Sequence, residues 1–368
     1  MTPLLPEGFR DRLPPHADAA GRIEARVLEA ARLYGYERAD PPLAEFADGL
    51  AGRLKDGALT DAVRFVDPVS QRTLAVRPDL TAQIARIAAT RMAHHPRPVR
   101  LSYAGSVLKL RASQLAPARE MRQIGCELIG LDSVAAAGEV VGVAVAALTA
   151  AGAGGLSIDF TLPDLVETLA AVLPVPAGRT EALRDRLDAK DAGAVAEIAP
   201  AYLPLIEAAG PFATAVDRLR AFDTGGVLAS RLDGLAAIAE ALGDAVTLTL
   251  DPTERHGFEY QSWLGFSLFV AGAPREVGRG GTYTVLHEDG SEEAATGFSL
   301  FADALATTGG AEERRRLFLP LDTSVADGAA LRGQRWVTVA ALTADDTPEA
   351  QLCTHVWMDG TVRQLSDK

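Results

Sequence analysis

Between Arg119 and Gly130 the run REMRQIGCELIG carries polar groups at strand spacing. With a period of two, Met121, Gln123, Gly125 and Glu127 share one face, and Arg122, Ile124, Cys126 and Leu128 share the other. The second face is apolar apart from Arg122. The first sets an amide and a carboxylate four residues apart, with Gly125 between them. Such a face reads as the floor of a small polar pocket, the glycine keeping the space between the two groups open. An edge strand with a solvated polar face has the same pattern.

Other residues of the right type stand in three places. Arg77-Pro78-Asp79-Leu80-Thr81 turns into a helical pattern, and Asp79 suits the N-cap. Tyr103-Ala104-Gly105 is followed by Lys109, Arg111, Arg119 and Arg122, which a solvated charged face also explains. His256 to Trp263 (HGFEYQSW) precedes GRGGTY at Gly278 to Tyr283, whose glycines can bring backbone N–H groups to an anion. That glycine signal is weak, because no βαβ unit surrounds it. There is no P-loop, HExxH or GxSxG. His94-His95 have no acid or cysteine cluster beside them, so they read as loop residues and no metal site is expected.

These residues need elements to position them. Ala17 to Tyr34 is an amphipathic helix ended by Gly35. Arg64 to Val66 and Thr73 to Val76 form a hairpin around Asp67-Pro68. A helix over Leu80 to Met92 and a strand over Val99 to Leu110 follow. After a polar loop at Arg111 to Ala118 comes the opening strand, then a helix over Val134 to Ala151 and a strand over Leu156 to Leu162. From Pro163 to about Gly243 helical patterns follow one another with no strand among them. Strands resume at Val246 to Leu250, Phe258 to Val270 and Arg275 to Leu286, and Gly297 to Leu305 starts as strand and continues as helix. The charged run Glu312 to Arg316 is a linker or solvated face, and the last piece holds the short strands LFLPL, RWVTVAAL, THVWM and TVRQL. The fold class is therefore α+β with a largely antiparallel sheet. Expected domains are a core over 1–162 and 244–310, a helical insertion over 163–243 and a small C-terminal α/β piece over 311–368.

Composition narrows the function. The formal charge of 36 − 49 = −13 argues against a broad nucleic-acid surface, because a phosphate backbone needs clustered cations. Cys126 and Cys353 lie far apart and signal neither a disulfide framework nor a zinc site, which suits a reducing compartment. The start, MTPLLPEGFRDRLPP, lacks the apolar core of a signal peptide, and Gly138, Glu139 and Gly142 interrupt the alanine-rich run. A cytoplasmic protein without a membrane span is expected.

The order of the clusters resembles a known family. GFRDRLPP resembles the GTRDILP opening of histidyl-tRNA synthetases, and VRPDLTAQIAR their LRPEGTA segment. YAGSVLKLR…REMRQIGCELIG resembles their class II motif 2, YxGxxFRxE…REFHQxGxExxG, with a loop of the same length. HGFEYQSWLGF resembles RGLDYY, GRGGTY resembles GGRYDGL, and ATGFSLFADAL resembles motif 3, GFAxGLERL. The likeness spans roughly residues 4 to 306 in order. It implies a class II aminoacyl-tRNA synthetase-like antiparallel sheet flanked by helices.

The likeness also implies roles. Asp79 and Thr81 stand where the synthetases hold the α-amino group of histidine, and Gln123 where they touch its main-chain groups. Glu127 matches the acid that meets the imidazole, and Tyr260 and Tyr283 match aromatic pocket positions. Lys109, Arg111, His256 and Gln261 match further lining positions, but each departs from the family residue. The arginine that grips the α-phosphate falls on Lys109, its neighbouring glutamate on Arg111, the arginine opening RGLDYY on His256, its second tyrosine on Gln261, and the motif 3 arginine on Ala304. A guanidinium fork is not replaced by Lys, His or Ala at a developing phosphate charge.

A synthetase-like body that keeps a histidine pocket and loses activation chemistry looks like the ATP phosphoribosyltransferase regulatory subunits. That family implies a non-catalytic chain, no cofactor, histidine as effector, and a homodimeric core within a hetero-oligomer with short-form catalytic subunits. It implies feedback inhibition of the first step of histidine biosynthesis. The alternatives are a divergent histidyl-tRNA synthetase, which intact arginines would have favoured, and another histidine-binding or tRNA-binding paralogue. A tRNA-binding module calls for a basic C-terminal domain, whereas Leu321 to Lys368 is mixed and mildly acidic.

Overall fold

A computed structural model describes residues 5–50, 52, 54, 62–111, 117–255, 261–306 and 315–365. Much of the polar loop 111–118, the HGFEY stretch and the linker residues 312–314 thus lie outside the described residues. Two compact units divide the chain, Met1–Gly309 and Gly310–Lys368.

The first unit opens with α1 (His16–Leu33), which buries Ile23, Val27, Ala30 and Ala31 at helical spacing. The short strand β1 (Glu37–Arg38) follows. Strand β2 (Ala44–Phe46), helix α2 (Ala47–Leu50), strands β3 (Arg64–Val66) and β4 (Thr73–Val76) come next, and the three strands form a small sheet in the order β2-β4-β3. Arg77 to Asp79 then lead into α3 (Thr81–Thr90). Strands β5 (Val99–Leu108) and β6 (Glu120–Ile129) pair antiparallel, and α4 (Val134–Ala150) starts where the Ser133 side chain accepts from the Ala136 N–H. Strand β7 (Ser157–Thr161) closes this half.

Between β7 and the returning strands lie α5 (Leu165–Leu169), α6 (Thr180–Asp188), α7 (Ala192–Ile198), β8 (Gly210–Pro211), α8 (Phe212–Phe222) and α9 (Ala229–Leu242). The strandless stretch expected from sequence thus contains one strand. Two residues long and carrying a proline, β8 is found where a missing N–H is tolerated, at the sheet edge. Strands β9 (Thr247–Leu250), β10 (Gln261–Phe269), β11 (Gly278–Leu286) and β12 (Glu292–Phe301) follow, with α10 (Ala302–Leu305).

One nine-stranded sheet runs in the order β1-β5-β6-β12-β11-β10-β7-β9-β8. Its pairs are antiparallel except β1 with β5 and β7 with β9. Ile124, Cys126 and Leu128 face a core built with α1 and α4, as the period-two reading predicts. Arg122 shares that face without stranding its charge, because Glu24 of α1 meets its guanidinium at 2.7 and 3.0 Å. On the opposite face Leu80, Ile84 and Ala88 of the α3 region pack on Leu101, Tyr103 and Val107. The pocket lies beside the start of α3.

The second unit holds β13 (Arg316–Leu319), α11 (Val325–Gly333), β14 (Val337–Ala340), β15 (His355–Met358) and β16 (Thr361–Gln364) in the sheet order β14-β13-β15-β16. The sequence expects an α/β piece here but does not locate its helix, α11, because VADGAALRG has almost no apolar periodicity. Only Gly328 and Leu331 are buried, and Ser324 caps the Asp327 N–H.

Candidate functional site

Glu127 sits at the centre. Strand β6 points it to the α3 side of the sheet, where it is 1 % exposed. The Tyr103 hydroxyl of β5 donates to its Oε1 at 2.9 Å, and the Tyr283 hydroxyl of β11 donates to its Oε2 at 2.8 Å. Across the ladder Glu127 faces Gly297 of β12. A Cβ on Gly297 would lie 1.6 Å from Glu127 Oε2, so the side chain lies in the space this glycine leaves. Gly125 does not hold open space, contrary to the sequence reading. A Cβ there would lie 2.4 Å from the Tyr103 hydroxyl, so the glycine admits the tyrosine that grips Glu127.

Burial pushes the Glu127 carboxyl up to about 8, with the nearby Asp79 charge adding to the rise and the two tyrosine hydroxyls only partly opposing it. The folded chain thus binds this proton more tightly than the unfolded chain. Its contribution to stability is complete below the unfolded carboxyl range and is lost as pH rises through about 8. Glu254, raised to about 8 by burial and by Asp159, slopes the same way. Subtracting a Glu127→Gln variant isolates the first group. In thermal melts of the ligand-free chain the variant is expected to gain on the wild type by roughly 3–6 °C between pH 5 and pH 8.5. A gap that does not change with pH would mean that Glu127 is ionised throughout.

The second half of the site is a brace. Asp79 Oδ1 accepts from the Thr81 N–H at 3.0 Å and from its hydroxyl at 3.1 Å, which fastens the first turn of α3. The Gln123 amide donates to Asp79 at 2.7 Å and to Ser299 at 2.6 Å, while its oxygen accepts from the Leu80 N–H at 3.0 Å. Both amide hydrogens are engaged inside the protein, so Gln123 orients Asp79 and Ser299. Ser299 in turn lies 3.0 Å from the Tyr103 hydroxyl and links the two halves.

The pocket between them is lined by Thr81, Glu127, Gln261, Arg279, Tyr283 and Ser299, with Gly280, Gly281 and Gly297 beneath. GRGGTY belongs to β11, a central strand, so its backbone is committed to the ladder and makes no anion nest. Gly281 instead admits the Gln261 side chain, whose amide donates to the Gly280 carbonyl at 2.7 Å.

Of the residues singled out from sequence, the fold thus brings Asp79, Thr81, Gln123, Glu127, Gln261 and Tyr283 together. Tyr260 and His256 lie outside the described residues. Lys109 and Arg111 do not line the pocket: the β5 segment carries Lys109 six residues beyond Tyr103, roughly 20 Å at strand rise. Tyr103, Ser299 and Arg279 are added. Tyr103 was visible as the tyrosine opening YAGS, and Arg279 as the lone cation in GRGGTY. Ser299 carried no local signal.

Comparison with known proteins agrees with this architecture. The family model for histidyl-tRNA synthetase matches residues 8–305. The ATP phosphoribosyltransferase regulatory subunit of Rhodospirillum centenum is 43% identical over 377 residues, covering 99% of this chain and 97% of that protein. An ATP phosphoribosyltransferase regulatory subunit/histidyl-tRNA synthetase structure from Bacillus halodurans C has a TM-score of 0.77 at 23% identity, with 95% of each chain covered. A chain of the ATP phosphoribosyl transferase (HisG:HisZ) complex from Thermotoga maritima has a TM-score of 0.60 at 18% identity, covering 77% of this chain and 97% of that one. Among the described residues no helix is long and apolar enough to cross a membrane. A synthetase-like body, matched along nearly its whole length by a regulatory subunit at this identity, is not itself the catalyst: the chain belongs to the ATP phosphoribosyltransferase regulatory subunits, on a histidyl-tRNA synthetase-like class II fold.

Proposed function

We propose that this chain assembles with a short-form catalytic ATP phosphoribosyltransferase in the cytoplasm, supports its activity in the first step of histidine biosynthesis, and carries feedback inhibition by histidine. Free histidine occupies the Glu127 pocket, and the core is a homodimer within a hetero-oligomer. One observation carries the ligand reading. A buried carboxyl gripped by two tyrosine hydroxyls faces the same small pocket as Thr81, which sits on Asp79 at the start of α3. A carboxyl there accepts from an imidazole N–H, and Asp79 with Thr81 suits an ammonium group. The similar Thermotoga maritima chain comes from a transferase complex, which supports the partner.

The test combines assembly with one variant. Gel filtration of the mixed subunits should give a joint peak, and histidine should inhibit the joint complex. A hydrogen bond to a charged group is worth roughly 1.5–3 kcal/mol, so above about pH 8, where Glu127 is ionised, Glu127→Gln should lower histidine affinity by roughly 10- to 100-fold. Coupling between two sites then moves the inhibition curve right by a similar factor, while uninhibited activity and assembly stay near wild type. Asp79→Asn should act in the same direction. Two separate peaks with unchanged kinetics would remove the partnership. Unmoved titration and inhibition curves would place the effector site elsewhere.

A further inference from the structure

We propose that Arg279 reads the α-carboxylate of the pocket's ligand and makes the site select a free amino acid over its amine or amide. The proposal rests on the histidine reading above and names the residue that reading leaves unassigned.

Three observations place the guanidinium. Along β11, Arg279, Gly281 and Tyr283 alternate onto one face, and the Tyr283 hydroxyl on Glu127 shows that this is the pocket face. In the ladder Gly281 faces Gly297, itself opposite Glu127, while Arg279 faces Ser299. The Glu127 carboxyl lies over Gly297, one strand across (about 5 Å) and two residues along (about 7 Å) from the Arg279 backbone, roughly 8 Å in all and close to the length of a histidine. A ring held at Glu127 therefore sets its carboxylate toward Arg279 and Ser299. The ammonium group falls at the same end, because one Gln123 amide group bonds both Asp79 and Ser299.

The side chain is also oriented. Glu276 takes the Nε and one Nη2 hydrogen of Arg279 in a side-on pair. That leaves the end-on edge, Nη1 with Nη2, for a second carboxylate in the fork geometry that guanidinium favours. The side chain remains 22% exposed. Charge makes the assignment specific. Among the described residues Arg279 is the one cation lining the pocket, and Glu127 lines it too, with Asp79 bonded to Thr81 at its edge. Among the described lining residues, Arg279 alone offers a ligand carboxylate a positive charge.

The experiment is calorimetric titration of the full chain with L-histidine, histidinamide and histamine, for wild type, Arg279→Gln and Arg279→Lys. Wild type should bind histidine at least about 10-fold more tightly than either analogue. Arg279→Gln should lose about 10- to 50-fold for histidine, with both analogues within about 2-fold of their wild-type affinity, so that discrimination disappears. Arg279→Lys, which keeps the charge without the fork, should fall between them. If Arg279→Gln weakens all three ligands equally, or leaves histidine untouched, the assignment is overturned while the pocket stands. If wild type binds no histidine, the pocket reading fails and this assignment with it.

Discussion

Histidine-dependent exchange of pyrophosphate into ATP is expected to stay at the no-enzyme blank. Adenylation develops charge on a phosphate and needs fixed cations there at the moment of reaction. By resemblance to the synthetases, three such cations fall on Lys109, His256 and Ala304 in this chain. Losing one electrostatic donor costs roughly 100- to 1000-fold in rate, so three altered positions leave nothing measurable. The fold adds a further obstacle at the motif 3 position. Asp303, beside Ala304, is 8% exposed and holds the Arg12 guanidinium at 2.7 and 3.0 Å, while accepting from the Arg122 N–H at 3.2 Å. Arg10 also lies 3.5 Å from Asp303, so the arginines beside Ala304 are paired with the protein's own carboxylate. Exchange clearly above the blank would restore the reading as a divergent synthetase.

Gly297→Ala is expected to lower histidine affinity by about 100-fold or more, a larger loss than Glu127→Gln. The reason is the position of the missing Cβ. It would lie 1.6 Å from Glu127 Oε2 and 2.8 Å from the Cys126 carbonyl oxygen. The carbonyl belongs to the β6–β12 ladder, so the carboxyl must leave, and it leaves both tyrosine hydroxyls behind. The ligand loses its acceptor, and the displaced side chain enters the space the ligand needs. Overpacking of this kind typically costs 1–3 kcal/mol of stability, about a few degrees in melting temperature. Calorimetry with histidine, beside a thermal melt to show that the variant is folded, checks both effects. Wild-type affinity in a folded Gly297→Ala chain would show that Glu127 is not aimed by this glycine.

What could be read from the chain alone was local. The two faces of β6 follow from a period of two, because neighbouring side chains on a strand must point to opposite sides. That rule separates Gln123 and Glu127 from Ile124, Cys126 and Leu128. The likeness of six segments in order pointed to the family, and the loss of arginines at Lys109, His256 and Ala304 pointed away from catalysis. The α+β class followed from strands flanking helices.

The tertiary structure decided who meets whom. Glu127 and Tyr283 are 156 residues apart, and no periodicity joins them; the registers of β6 with β12 and of β12 with β11 do. Those same registers turn Gly297 into the space for a carboxyl, Gly125 into the space for a tyrosine, and GRGGTY from a supposed anion loop into a floor with one cation. The bracing role of Gln123 was not legible because its partners come from the turn before α3 and from β12, which only the fold brings beside β6. The proton affinity of Glu127 is likewise beyond the sequence. A carboxyl pushed up to about 8 is a consequence of burial, and burial belongs to all the strands around it together.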